Sequence, residues 1–139
     1  MRILITGSRE FASPNTIREA LAKAVADQPG PHTLVHGDAK GADRMAARIA
    51  RGLGWTIEAH PADWNRPCAE HCKHRGGRRT RDDGSSWCPS AGAVRNAQMC
   101  ELGADLVLAF YARGARNVGT ADCVKSAGKN KIPVRRFTA

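Results

Sequence analysis

No stretch of this sequence approaches the roughly 20 consecutive apolar residues that a membrane-crossing helix needs. The opening run MRILITG is also too short for a secretory signal, so a cytoplasmic protein with no membrane partner is expected. Aromatic residues are scarce: three Trp, one Tyr and three Phe among 139 residues are too few for an extended platform on which nucleic-acid bases stack. Acidic residues are also in the minority, 13 against 22 Lys and Arg. The resulting net charge of +9 favours an anionic partner without choosing among nucleotide, nucleic acid and acidic protein. Internal repeats and low-complexity tracts are absent, which argues against a solenoid or a disordered tail. Missing too are a G-x-G-x-x-G after the first apolar run and any G-x-x-x-x-G-K-[ST], so the conventional dinucleotide and P-loop sites lose weight.

What is present reads as one domain over 1–139, long enough for one core and too short for two. Arg2 to Thr6 is a short apolar run that stops at Gly7-Ser8-Arg9, the pattern of a buried strand ending in a tight turn. Ser13 followed by Pro14 predicts a helix start, and Ile17, Leu21, Ala24 and Val25 recur at helical spacing up to Pro29-Gly30-Pro31. A strand is expected over Thr33 to His36, then a helix with Ala42, Met45, Ala46, Ile49 and Leu53 on its apolar face, then a strand over Trp55 to Ala59. Further on, a helix from Ala91 carries Val94, Met99 and Leu102, and Asp105 to Phe110 is the most strand-like run. A last helix from Thr120 precedes a short edge strand, Ile132-Pro133-Val134. Apolar runs alternating with helices predict an α/β domain with a parallel sheet of about five strands covered on both faces. Between 63 and 90 the apolar periodicity vanishes and Cys, His, Arg, Gly and Asp dominate, so this segment reads as an insertion.

Ligands of open parallel sheets bind at the carboxyl ends of the strands. Three such ends are rich in small and polar residues: Gly7-Ser8-Arg9, then Gly37 to Gly41 with Lys40, then a loop with Gly114, Gly119 and Thr120. Glycines let backbone approach a phosphate, and the helix that follows offers unpaired N–H groups, so the three loops together predict a phosphate pocket. His36 and His60 end strands near the same crevice, and His32 falls in a turn.

The ordered series MRILITGSR, HGDAKGAD, HPADW, CPSAG-x-x-RN-x-x-M, GADLVLAF and GTADCVKSA resembles the YspA-type, YpsA-related branch of the SLOG superfamily across essentially the whole chain. The resemblance implies a Rossmann-like sheet that binds nucleotides or nucleotide-derived ligands. It carries ligand contacts onto Gly7, Ser8, Arg9, Gly37, Lys40, Gly41, Asp43, Arg95, Asn96, Gly119 and Thr120. The superfamily includes Lonely Guy type phosphoribohydrolases, whose P-G-G-x-G-T-x-x-E loop corresponds here to a stretch with Cys123 at the catalytic Glu position. An N-glycosidic hydrolase acting on a nucleoside phosphate is therefore the alternative to a binder or sensor, with Asp122 and Asp43 as the carboxylates available to activate water.

In the insertion, Cys68-x3-Cys72-x-His74-x13-Cys88 offers four ligands of the types zinc prefers, with His71 competing with His74. An odd total of five cysteines favours metal over disulfides, and four ligands leave no open position, so a structural Zn2+ is expected. Lys73, Arg75, Arg78, Arg79 and Arg81 beside Trp64 and Trp87, with the basic segment from Lys125 to Arg136, make nucleic-acid binding a second alternative. A homo-oligomer is compatible with the sequence.

Overall fold

A computed structural model of the chain describes residues 1–68, 72 and 77–139. Strand β1 (Arg2–Gly7) leads into helix α1 (Pro14–Val25), β2 (Thr33–His36), α2 (Ala42–Gly52) and β3 (Thr56–Ala59). The inserted segment contributes β4 (Arg79–Thr80) and β5 (Ser86–Trp87), which pair antiparallel, and α3 (Ala91–Leu102), β6 (Leu106–Tyr111), α4 (Val118–Lys129) and β7 (Val134–Thr138) follow. Five strands form one parallel sheet in the order β3-β2-β1-β6-β7.

The uninterrupted apolar strands have the expected physical cause, since successive side chains enter different cores. Ile3, Ile5, Leu34, Leu106, Leu108 and Phe110 pack with α1 and α2 on one face. Leu4, Val35 and Val107 pack with Met99, Cys100, Cys123 and Ala127 of α3 and α4 on the other. Ser13 caps α1 as its sequence predicts, its Oγ accepting from Thr16 N at 3.4 Å. The chain builds outward from β1 to β3, then returns through α3 to place β6 on the other side of β1. The strand order thus reverses between β1 and β6, and the crevice of an open α/β sheet forms at such a reversal.

Four expectations are corrected. Leu53 and Leu102, expected on buried helix faces, are 59% and 63% exposed. Each falls at its helix end beside a positive-φ glycine, Gly54 or Gly103, and α2 instead seats Ala42, Ala46, Ala47 and Ala50, small residues that let it lie close on the sheet. The final strand is Val134–Thr138 instead of a strand over 132 to 134. Ile132 closes α4 by donating to Ala127 O and is buried in the second core, so the backbone first bonds β6 at Pro133, whose carbonyl accepts from Val107 N at 2.8 Å, and the strand runs on from Val134. Lastly, α4 begins at Val118, which moves Gly119 and Thr120 from a loop into its first turn. Among the described residues no helix is long and apolar enough to cross a membrane.

Candidate functional site

A cavity of about 380 Å³ opens where β1 and β6 end. The carboxyl end of β1 forms its floor. Gly7 is there for packing: a Cβ would collide with Ala42 Cβ and lie 3.0 Å from Phe110 O. Ser8 is fully engaged, its N–H donating to Phe110 O at 2.9 Å and its hydroxyl to Glu10 Oε2 at 2.7 Å. Its carbonyl accepts from Phe11 N and from Ala42 N, the first residue of α2. Arg9 stands exposed at the rim.

The β2–α2 loop is locked onto the β1 loop. Gly41 has φ +83°, and a Cβ there would be driven into Ser8 O and within 2.6 Å of Arg9 O. Asp43, 4% exposed, accepts from Gly37 N at 2.9 Å and Ala39 N at 3.5 Å and thereby ties the loop to α2. Burial raises its pKa to about 6, against the opposing pull of the Gly37 N–H and the Arg95 guanidinium. Arg95 donates through Nη1 to Gly37 O and to His60 O, the latter at 3.2 Å, and through Nε to Asn96 Oδ1 at 2.9 Å. Gly37 has no Cβ because the Arg95 guanidinium lies against it. Asn96 passes the connection on to Asp122 Oδ2 at 3.0 Å and Gly119 O at 3.3 Å. Arg95, Asn96 and Asp122 thus join α3 to the first turns of α4 across the cavity.

The β6–α4 loop is built differently. Asn117 takes a left-handed conformation with φ 54°, and its amide holds Ala112 N, Ala112 O and Ala115 O, each at 3.0 Å. That side chain stabilises the loop and does not cap the helix, and no acidic residue lies in the first turn of α4. The N-terminus of α4 therefore faces the cavity through Val118, Gly119 and Thr120, and no side chain among the described residues caps it. Nothing lies within 4 Å of a Cβ built at Gly119. Thr120 is 2% exposed, and its Oγ1 is buried with no hydrogen-bond partner among the described residues.

Of the residues singled out in the sequence, Gly7, Ser8, Arg9, Asp43, Arg95, Asn96, Gly119, Thr120 and Asp122 line this one cavity. Gly37, Lys40 and Gly41 do not. Gly37 and Gly41 are packing positions, and Lys40 is exposed on a separate open depression with His36, Arg44 and Arg48. His36 is buried there, its Nδ1 accepting from Asp38 N, and its pKa is lowered chiefly by desolvation. His60 pairs with Glu58 at 2.8 Å. Cys123, at the position of the superfamily's glutamate, faces the core instead of the cavity, and the neighbouring Cys100 and burial push its thiol pKa up. Glu10, Trp64, Asn117 and Gly92 also line the cavity and were not singled out as ligand contacts from sequence. Asn117 was within reach of sequence reasoning, two residues before Gly119. Trp64 stands in the HPADW motif and among the basic residues of the insertion, but nothing in its spacing tied it to the phosphate-type loops.

In the insertion, the Sγ atoms of Cys68, Cys72 and Cys88 lie within 4.8 Å of one another, and those of Cys72 and Cys88 are 3.8 Å apart. Zinc–thiolate bonds of about 2.3 Å at tetrahedral angles put sulfurs about 3.8 Å apart, so the cluster could hold a metal ion of that size. Arg66 Nη1 donates to Cys72 Sγ at 3.6 Å and Cys88 Sγ at 3.7 Å, and Arg78 Nη1 to Cys68 Sγ at 3.6 Å. Against burial, the other cysteines and the Arg66 guanidinium help lower the Cys88 thiol pKa, whereas at Cys68 burial and Cys88 outweigh Arg78 and leave the pKa raised. His74 and His71, the sequence candidates for a fourth ligand, lie outside the described residues.

Residues 1–66 match the model of the YAcAr family, described as the YspA, cpYpsA-related SLOG family. The chain is also 38% identical over 141 residues to the Gene 61 protein of Mycobacterium phage D29, a similarity that spans 98% of this chain and 95% of that protein. A five-stranded parallel sheet, a cavity at its point of strand reversal and these two similarities together show that the chain belongs to the YspA, cpYpsA-related SLOG family.

Proposed function

We propose that the cavity binds the phosphate of a nucleotide or nucleotide-derived ligand at the N-terminus of α4. The observation that carries this reading is the buried hydroxyl of Thr120, without a partner among the described residues, beside a helix start that none of their side chains caps. An orphaned buried hydroxyl costs about 1–3 kcal/mol, and a phosphate oxygen at that helix end would satisfy it and gain the helix dipole. Arg9 supplies a cation at the rim. Glu10 and Asp122, acidic and on the same cavity, suit sugar hydroxyls and repel a second anionic group, which favours one phosphate over several. Arg95 acts by holding the β2 and β3 ends and Asn96 in place, since its guanidinium already bonds protein acceptors. The metal of the cysteine cluster is read as one structural Zn2+ per chain.

Calorimetry against nucleoside mono- and diphosphates, ADP-ribose and cyclic nucleotides tests the reading. Thr120→Val keeps the shape and removes the hydroxyl. It is expected to weaken the tightest panel member roughly 10- to 150-fold, the worth of a hydrogen bond to a charged group, without lowering thermal stability. Failure of every panel member to bind, or unchanged affinity in the variant, overturns it. An N-glycosidic hydrolase is the second reading, favoured by Asp43 and Asp122 on the same cavity. Base release from a bound monophosphate that Asp122→Asn abolishes would establish it.

A further inference from the structure

The cysteine cluster and the cavity share a wall. Trp64 lines the cavity, and its indole lies over the first turn of α3, where a Cβ at Gly92 would come within 3.3 Å of Cη2. Its backbone carbonyl accepts from Cys88 N at 2.8 Å, so one cysteine of the cluster holds the main chain of the tryptophan. Its ring meets Trp87, the residue before Cys88, edge to face at 5.4 Å and 82°. Two residues beyond Trp64, Arg66 reaches back to the sulfurs of Cys72 and Cys88. From the same cysteine the chain runs directly into the cavity lining: Cys88 O accepts from Ala91 N at 3.2 Å at the start of α3, and Pro89 and Gly92 face the cavity.

An indole on the wall of a phosphate-type cavity offers an aromatic face to a planar base. It stands on a segment whose described strands, β4 and β5, are two residues each and which contributes no strand to the main sheet. Trp64 is held by the Cys88 N–H, by the Trp87 ring beside Cys88 and by contact with the first turn of α3, so two of its three supports sit at the cluster. The geometry points to a metal ion bound by Cys68, Cys72 and Cys88 that positions Trp64 as the base-stacking wall, so that metal and nucleotide bind with positive coupling. This rests on the phosphate reading of the cavity and adds to it a base-recognition residue and a dependence on metal. The coupling is reciprocal: a ligand that stacks on Trp64 tightens the metal by the same factor as the metal tightens the ligand.

The test uses the full chain loaded with zinc, then stripped by a chelator, with AMP as the nucleotide probe. Zinc is expected to bind with a stoichiometry near one and to slow amide exchange at residue 64 and across 91–96, while the sheet strands exchange alike in both forms. AMP affinity is expected to fall about 5- to 150-fold on stripping, the usual range of site-to-site coupling. Trp64→Leu in zinc-loaded protein should weaken AMP by a similar factor, and stripping that variant should then change AMP affinity much less. Because Cys88 is buried and its replacement could disturb folding, Cys72→Ser, at a half-buried position, provides a second route to the metal-free form. Absence of zinc binding, exchange at 64 and 91–96 indifferent to zinc, or equal AMP affinity with and without zinc each overturns the proposal. If AMP binds neither form while zinc still protects 64 and 91–96, the nucleotide reading and the stacking role both fall, and only a mechanical link from cluster to cavity survives.

Discussion

The β1 and β2 loops and the β6–α4 loop look alike in sequence, each short, glycine-bearing and placed before a helix, yet they solve opposite problems. In the first two, glycine removes a Cβ so that protein can pack on protein: Gly7 on Ala42 and Phe110, Gly37 under Arg95, Gly41 on Ser8 and Arg9. Their polar groups are consumed internally, Ser8 by Phe110 and Glu10, Gly37 by Asp43 and Arg95. In the third, among the described residues, a Cβ at Gly119 would meet nothing, the helix start has no side-chain cap and Thr120 keeps a hydroxyl without a partner. The contrast teaches that two of the three loops are scaffolding and that, among the described residues, the third alone keeps polar groups unsatisfied, as the proposed phosphate site requires.

The largest expected effect lies on the packed side. Gly41→Ala must hold an alanine at φ +83° and force its methyl against Ser8 O and Arg9 O, so a loss of about 2 to 4 kcal/mol in urea unfolding is expected. A loss below about 0.5 kcal/mol would break the comparison. Next in size is Asp43, whose pKa rises from 3.8 unfolded to about 6 folded. Well below pH 3.8 the carboxyl is protonated in both states and folding pays no charge penalty. As pH climbs from 3.8 through 6 the unfolded chain ionises first while the folded chain resists, so stability is lost, by on the order of 3 kcal/mol once pH exceeds 6. Asp43→Asn should remove that loss, gaining on the parent between pH 4 and 8 in unfolding curves taken across the range. A difference that does not vary with pH would refute the buried-charge account. Glu58 titrates in the opposite sense: Arg2 and His60 lower its pKa to about 2, and its contribution disappears as pH falls from about 4.5 towards 2. Being common to parent and variant, it cancels in the comparison. The smallest effect belongs to the open side. Gly119→Ala fills no occupied space and improves helix propensity, so thermal unfolding should show it neutral or more stable by about 0.5 kcal/mol.

The corrections share a cause. Leu53 and Leu102 were placed by helical periodicity and Ile132 by a short apolar run, and both signals report the kind of element and not where it stops. Leu53 follows the last residue of α2 and Leu102 is the last residue of α3, each next to a positive-φ glycine that turns the chain away, and the closure of α4 on Ile132 delayed the last strand until Val134. Lys40 was assigned to the phosphate pocket by its place in a Gly-rich loop. With Gly41 pinned to Ser8 and Arg9, that loop's lysine falls on a separate depression.

By itself the sequence determined the alternation of strands and helices, the apolar runs that require a sheet buried on both faces, the cap at Ser13 and the grouping of cysteines in the insertion. These are local in spacing and composition, and no distant partner is needed to specify them. Only the tertiary structure decided which glycines pack and which stay open, that Arg95 holds backbone while Thr120 is left unpaired, and that Trp64 stands on the cavity wall with Cys88 bonded to its carbonyl. Each of those depends on which surface meets which across separations such as 58 residues between Gly37 and Arg95, and hydrogen-bond satisfaction of that kind exists only once the chain has closed.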